Sequence, residues 1–396
     1  MWIDDLLKMT EEAETPKSFI YWAGLSAIAA VVKREVWLDK HYYKLYPNLY
    51  VMLVAPSGHR KSFAISVARK LVEAVGGYRI ISGRSSIQAI VKDLSTAYTT
   101  PKGDVIADAS CFIASSEFAS SIVEDPAALT ILTDLYDAHA HSEWRNMLKG
   151  SGTEVLKDPC VNMISASNQA HLIDKLQEVD IEGGFVGRTI MVVESKKRVI
   201  NPLVQAPKIR FDLTSLIPQL QQIKTLKGPF TWSKGAADLF EEWYTEHAKK
   251  LDKSEISDRT GSQDRIHDHI LKIAMLISLS DVPNLILEKQ HVEEAIDRCT
   301  ISASSVERAV EGKGSPQFSR GTRVIITTLL RSPGYEMDRS TLLRKHYHDF
   351  DAIDLDRIVQ TLEQAGAVKE IKKGQLICYK LTQKFIDEYT KYAGTK

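Results

Sequence analysis

The pair Lys61-Ser62 closes the stretch "NLYVMLVAPSGHRKS" (48–62) and carries the most specific chemistry in the chain. An ammonium group beside a small hydroxyl at a helix start suits the β and γ oxygens of a triphosphate and its Mg²⁺, if the preceding loop turns its N–H groups inward. The pattern for this is G-x-x-x-x-G-K-[ST] between a strand and a helix. In that register Ala55 replaces the first glycine and Arg60 the second. Pro56, Ser57, Gly58, His59, Arg60, Lys61, Ser62 and Phe63 are the candidate ATP-binding residues, with Ser62 the Mg²⁺ ligand. Gly58 is kept inside the turn, but Arg60 must accept the backbone angle of the missing glycine and send its side chain out of the nest. The competing account is a strand-turn-helix on which Lys61 and Ser62 are ordinary surface residues.

Three more stretches offer partners. "CFIASSE" ends a strand at Glu117, where a carboxylate can polarise the water that attacks a γ-phosphate. Ser116 stands where an aspartate would order the Mg²⁺ shell, so it is a weak metal candidate, and Glu117 could instead sit near the start of the next helix. "SASNQ" brings Ser167 and Asn168 to the end of another strand, where Asn168 can sense phosphate, orient water or cap a helix. Arg188, in "GGFVGR", is a candidate finger for a neighbouring subunit's nucleotide or a surface residue beside a glycine turn. Arg259 and Arg265 are candidates for a lid arginine or for solvated positions.

These groups need a sheet to hold them, and the hydrophobic pattern supplies one. "LYVMLVA" is a continuous apolar run of the kind buried on both faces of a parallel sheet, and "SFAISVARKLVEAVGG" after it has helical spacing and a Gly76-Gly77 stop. "YRIISG", "CFIASSEFAS", "PCVNMISASNQAHL" and "TIMVVE" alternate with helical segments, which predicts an α/β fold with a mostly parallel sheet. "KSFIYWAGLSAIAAVVKR" (17–34) is apolar nearly all round, so a buried helix is expected. Residues 232–310 read as helices, and "EGKGSPQFSRG" is a polar break. Three helices and a hairpin turning at Lys373-Gly374 then predict a winged helix. The expected division is an N-terminal helical segment (1–47), a core (48–200), a helical lid (201–312) and a winged helix (316–396).

A chain of 396 residues exceeds one ordinary core, and 44% hydrophobic with 26% charged residues is a globular composition. Net charge is zero, so any polyanion site must be local. Four dispersed cysteines suggest neither a zinc site nor disulfides, and with an acidic start and no long apolar run they point to a cytoplasmic protein with no membrane segment.

Taken together, "TPKSFIYWAGLSAIAAVVKREV", "VAPSGHRKS", "FIASSEFAS", "LYDAHAH", "NMISASNQAHL", "GGFVGR" and "DHILKIAMLISL" resemble a family of phage- and plasmid-borne P-loop ATPases found in primase-helicase proteins. The resemblance spans about residues 10–310. It implies a RecA/AAA+-like P-loop NTPase core in an ATP-driven motor, a hexameric ring acting on DNA in replication of a mobile element. Lys61 and Ser62 then look like phosphate and Mg²⁺ ligands, Glu117 like the catalytic carboxylate, Asn168 like the sensor and Arg188 like the finger. The chain departs from the family at Ser116, where Asp is usual, and carries no primase segment, so a primase would be a separate protein.

DNA contacts have two candidate places. Arg145, Lys149 and Lys157, in the polar segment between the Glu117 and Asn168 strands, could face DNA in a ring or be solvated. The tail (316–396) has 14 Lys and Arg against 10 Asp and Glu, a net +4. Its third helix opens with Asp351, Asp354 and Asp356, which repel phosphates, so base reading by that helix is not expected. Lys369, Lys372 and Lys373 on the wing suit non-specific backbone contact, although such modules also dock proteins. The leading expectation is a helicase translocating on single-stranded DNA. The alternatives are an ATP-switch helicase loader and a hydrolysis-poor DNA-binding regulator.

Overall fold

The computed structural model describes residues 1–83, 85–99, 103, 105–106, 108–117, 125, 127–137, 142–148, 152–176, 184–201, 211–252, 260–310, 317–374 and 376–387. Two compact units result, Met1–Glu311 and Gly312–Lys396. Among the described residues no helix is long and apolar enough to cross a membrane.

The first unit is built on a five-stranded, all-parallel sheet of β1 (Tyr50–Val54), β2 (Ile80–Ile81), β3 (Ser110–Ser115), β4 (Cys160–Ser167) and β5 (Thr189–Val193), in the spatial order β5-β1-β4-β3-β2. Every residue of β1, β3 and β4 is buried, as the unbroken apolar runs predict. Alternate side chains feed two cores. Val51, Leu53, Phe112, Ala114, Ile164 and Ala166 meet the helices Lys17–Val32, Lys61–Val75 and Ile266–Asp281 on one face. Tyr50, Met52, Cys111, Ile113, Val161 and Met163 meet Ile87–Leu94, Ala128–Tyr136 and Gln169–Lys175 on the other.

This partition follows from chirality. The chain steps from β1 out to β2 and then back through β3 and β4 to β5, and right-handed crossovers place the helices of opposite steps on opposite faces. The reversal lies between the adjacent strands β1 and β4, which opens a crevice at their C-terminal ends.

Residues 1–47 do not stand apart from this core. The helix Lys17–Val32 lies on the sheet with every residue from Phe19 to Val32 buried. The helix Trp2–Met9 crosses it so closely at Gly24 that a Cβ there would lie 2.2 Å from Ile3 Cδ1. The long helix Lys289–Val310 runs along β5, and Ser302 Oγ donates to Met191 O, covering the sheet edge. The helical region 211–310 shares the first unit's core.

The second unit has the helices Gln317–Leu330, Arg339–His346 and Ala352–Gln364 and a three-stranded antiparallel sheet. Its hairpin pairs Val368–Lys373 with Leu376–Leu381, as expected of a wing. A third strand, Glu336–Asp338, is too short to read from sequence. Ile325, Leu329, Leu342, Leu355, Ile358 and Leu381 form its own core.

Candidate nucleotide site

The loop after β1 opens beside the end of β4, where Ala55 N donates to Ser167 O at 3.3 Å. Gly58 turns the chain at φ +84°, and the helix Lys61–Val75 starts directly after Arg60, whose φ is +54°. A left-handed arginine is costly, by ~1–2 kcal/mol, because its Cβ crowds the following carbonyl. The expected burden on Arg60 is therefore real, and neighbouring groups hold it in place. Arg60 Nε donates to Glu14 Oε2 at 2.9 Å, and Thr15 Oγ1 donates to Arg60 O at 3.3 Å. Its side chain leaves the nest. On the preceding residue, His59 Nε2 lies 3.2 Å from Ser195 O.

Lys61 Nζ folds back over the loop and donates to Ala55 O at 2.6 Å and Pro56 O at 3.0 Å. Burial lowers its pKa from the usual lysine value. Neutral backbone carbonyls are weaker partners for an ammonium group than an anion is. Beside the loop lies a cleft of about 610 Å³ bounded by Glu12, Ala13, Glu14 and Thr15 on one side, by Gly58 to Phe63 on the other, and by Asn201. Ser62 is exposed and Phe63 half-buried, its ring 5.7 Å from that of Phe211.

Strand register places the other candidates. Ser167 pairs with Val54, so Asn168 follows level with Ala55, one strand spacing (~4.8 Å) from the loop. Its side chain accepts from His171 N at 2.8 Å and caps the helix Gln169–Lys175, so the capping role is the one its geometry displays. Ser115 is level with Ser165, and through it with Met52. Ser116 and Glu117, both exposed, therefore emerge at the same edge, about two strand spacings (~10 Å) from β1. One edge thus collects Lys61, Ser62, Asn168, Ser116 and Glu117. Among the described residues no group of three or more His, Cys, Asp or Glu could hold a metal ion by itself. Mg²⁺ needs no such cage, since it keeps several waters and phosphate oxygens beside one protein hydroxyl such as that of Ser62.

Two of the candidate arginines lie away from the loop. Thr189 pairs with Tyr50, so Arg188 enters β5 level with Leu49 at the opposite edge of the sheet, six strand residues (~20 Å) from Ala55. Only 11% of its side chain is exposed; Nη2 donates to Asp137 Oδ2 at 2.5 Å and Nη1 to Gly184 O at 3.2 Å. It is neither a surface residue nor presented to a neighbour in this state. Arg265, a candidate for a lid arginine or a solvated position, precedes the helix Ile266–Asp281 and acts electrostatically on Asp137 and His269, far from its own loop. Arg259 and Lys149 lie outside the described residues.

Residues that sequence reasoning missed surround this far edge. Burial alone would raise the Asp137 pKa, but hydrogen bonding and attraction from Arg188 hold it below the usual carboxylate value. Lys272 is buried, with Nζ donating to Asn48 Oδ1 at 2.9 Å and lying 3.8 Å from the centre of the Tyr136 ring. Burial brings its pKa down to about 8, and burial with the nearby Lys272 and Arg265 charges brings that of His269 to about 3. "LYDAHAH" contains Asp137, but nothing local in it points to a partner 51 residues on.

The segment expected as a polar loop is instead an antiparallel hairpin, Glu143–Leu148 with Gly152–Lys157. Trp144 and Leu156 pair on its buried face, which fixes the register, while Met147 at 83% exposure and Arg145 stand in solvent. Its base joins the sheet where Ala109 N donates to Lys157 O, on the edge away from the loop. Arg145 is paired with Glu143 at 2.9 Å. On the wing, Lys373 pairs with Glu336, whereas Lys369 and Lys372 are exposed. Asp351 caps the third helix and Asp356 binds Arg339 at 2.9 Å, so two of its three acidic groups have structural partners.

Compared with protein-family models and with curated proteins, the chain matches none.

Proposed function

We propose that this protein is an ATP-hydrolysing motor that acts on single-stranded DNA as a ring, in the manner of a replicative helicase of a mobile element. The observation that carries the reading is the loop after β1: a left-handed Arg60 and a helix-initial Lys61 whose ammonium rests on two carbonyls, at the reversal of a parallel sheet and beside a cleft of about 610 Å³. The residues fit a nucleotide. Backbone N–H groups of 58–62 would surround the β-phosphate, Lys61 would move from Ala55 O and Pro56 O to phosphate oxygens, and Ser62 would complete the Mg²⁺ shell. Bound Mg²⁺ and ATP would supply the leaving group and the Lewis acid.

The remaining roles follow from position. Glu117 is exposed at the same edge and would hold the attacking water, while Asn168 keeps the end of β4 in register with the loop. The arginines Arg188 and Arg265 are too far to reach their own loop, so any finger they supply would serve a second copy. Arg145 and Lys157 on the exposed hairpin, with Lys369 and Lys372 on the wing, are the cations available for DNA.

A second reading, a hydrolysis-poor switch that loads or regulates another machine, is favoured by Ser116 in place of an acid and by the commitment of Arg188 to Asp137. Phosphate release by the wild type with and without single-stranded DNA, run beside Lys61→Ala, decides between them. The motor reading expects DNA-stimulated release that falls about 100-fold in K61A, the loss of charged hydrogen bonds to phosphate. Tight nucleotide binding without release supports the switch, and binding unaffected by K61A overturns both.

A further inference from the structure

We propose that Glu14 is a positioning residue for the nucleotide loop, holding Arg60 in a conformation that the loop needs and that arginine by itself disfavours. The inference rests on the nucleotide reading above and adds a residue that no part of the loop motif contains. Its first support is the backbone. Arg60 sits at φ +54° where the motif has glycine, and this torsion is what aims the N–H groups that follow it at the helix mouth. A non-glycine residue in that region persists only when its surroundings over-determine it.

The surroundings do so. Glu14 Oε2 accepts from Arg60 Nε at 2.9 Å, and Glu14 Oε1 accepts from Lys197 Nζ at 2.9 Å. One carboxylate with 12% of its side chain exposed thereby joins the loop to the segment leaving β5. The neighbouring Thr15 hydroxyl donates to the carbonyl of Arg60 itself, and Arg198 N donates to Glu14 O, so the clamp is fixed from both sides. Hydrogen bonds from Lys197 and Arg60 hold the Glu14 pKa at about 2, so the clamp stays charged. Glu14 also borders the cleft, and a direct contact with bound nucleotide is the competing role to be separated.

A double-mutant cycle separates them, because glycine at position 60 needs no clamp. The probe is Mg²⁺ with a fluorescent ATP analogue, titrated into the full chain as wild type, Glu14→Ala, Arg60→Gly and the double variant, with melting temperature recorded for each. Glu14→Ala should weaken binding about tenfold in the wild-type background and less than about twofold in the Arg60→Gly background, the loss being the cost of the left-handed arginine. Equal loss in both backgrounds means that Glu14 touches the nucleotide or supports the fold generally, and overturns the proposal, as does no loss in either. Should wild type and Arg60→Gly both fail to bind, the nucleotide reading itself falls and the positioning role falls with it.

Discussion

Asp137 and Arg188 hold each other across 51 residues of sequence, with Nε 3.2 and 3.3 Å from the two carboxylate oxygens and Nη2 2.5 Å from one of them. The pair ties the end of the helix Ala128–Tyr136 to the start of β5, at the edge of the sheet remote from the loop. Replacing Asp137 with alanine leaves a guanidinium with 11% of its side chain exposed and without the carboxylate that pairs with it. D137A should cost about 3 kcal/mol in urea unfolding. The sign with pH follows from the carboxylate's lowered pKa: its contribution is complete above the unfolded value of about 4 and disappears as pH falls through the folded value. Melting curves at pH 7 and pH 3 should therefore differ less for D137A than for wild type.

Lys272 titrates in the opposite sense. Its folded pKa of about 8 lies below the unfolded value of about 10.4, so between these the unfolded chain binds more protons and folding gains stability as pH rises. Measured against K272M, the wild type should gain about 3 kcal/mol from pH 7.5 to pH 10.5. A flat difference in urea midpoints over that range refutes the burial-driven shift.

Glu117 should separate binding from turnover. Glu117→Gln keeps shape and removes the base, so phosphate release should fall at least ~100-fold while nucleotide affinity stays within about twofold. Unchanged release would assign water activation to another group.

The hairpin makes a salt-dependent prediction. If Arg145 and Lys157 touch single-stranded phosphates, the double change to glutamine should reduce the slope of log affinity against log salt by about 1.4, two contacts at ~0.7 each. Fluorescence anisotropy with an oligothymidylate across 50–200 mM salt measures it. An unchanged slope assigns those side chains to the surface and Arg145 to Glu143 alone.

How much of this was legible depended on whether the signal was local. β1 and the helix from Lys61 could be read because a continuous apolar run, a turn and a 3.6-residue period adjoin one another in sequence. Residues 17–34 were legible as a buried helix from their all-round apolarity, yet not as a layer of the sheet, since nothing local states what covers them. The hairpin at 143–157 was hidden because, among its described side chains, Trp144 and Leu156 are the only buried apolar pair, where alternation needs several. Glu14 and Asp137 were out of reach for a deeper reason: each acts on an arginine 46 or 51 residues away, and ion pairs leave no periodicity. Arg188 was recognised as a candidate, but its burial against Asp137 is a tertiary fact.

The length of β1 and β5 has a consequence for assembly. Lys61 and Ser62 lie at one rim of the sheet and the guanidinium groups of Arg188 and Arg265 at the other, so each molecule is directional. On the motor reading, a head-to-tail contact would set one copy's arginine rim against the next copy's loop, and such contact, repeated by a constant rotation, would close into a ring or run on as a helix.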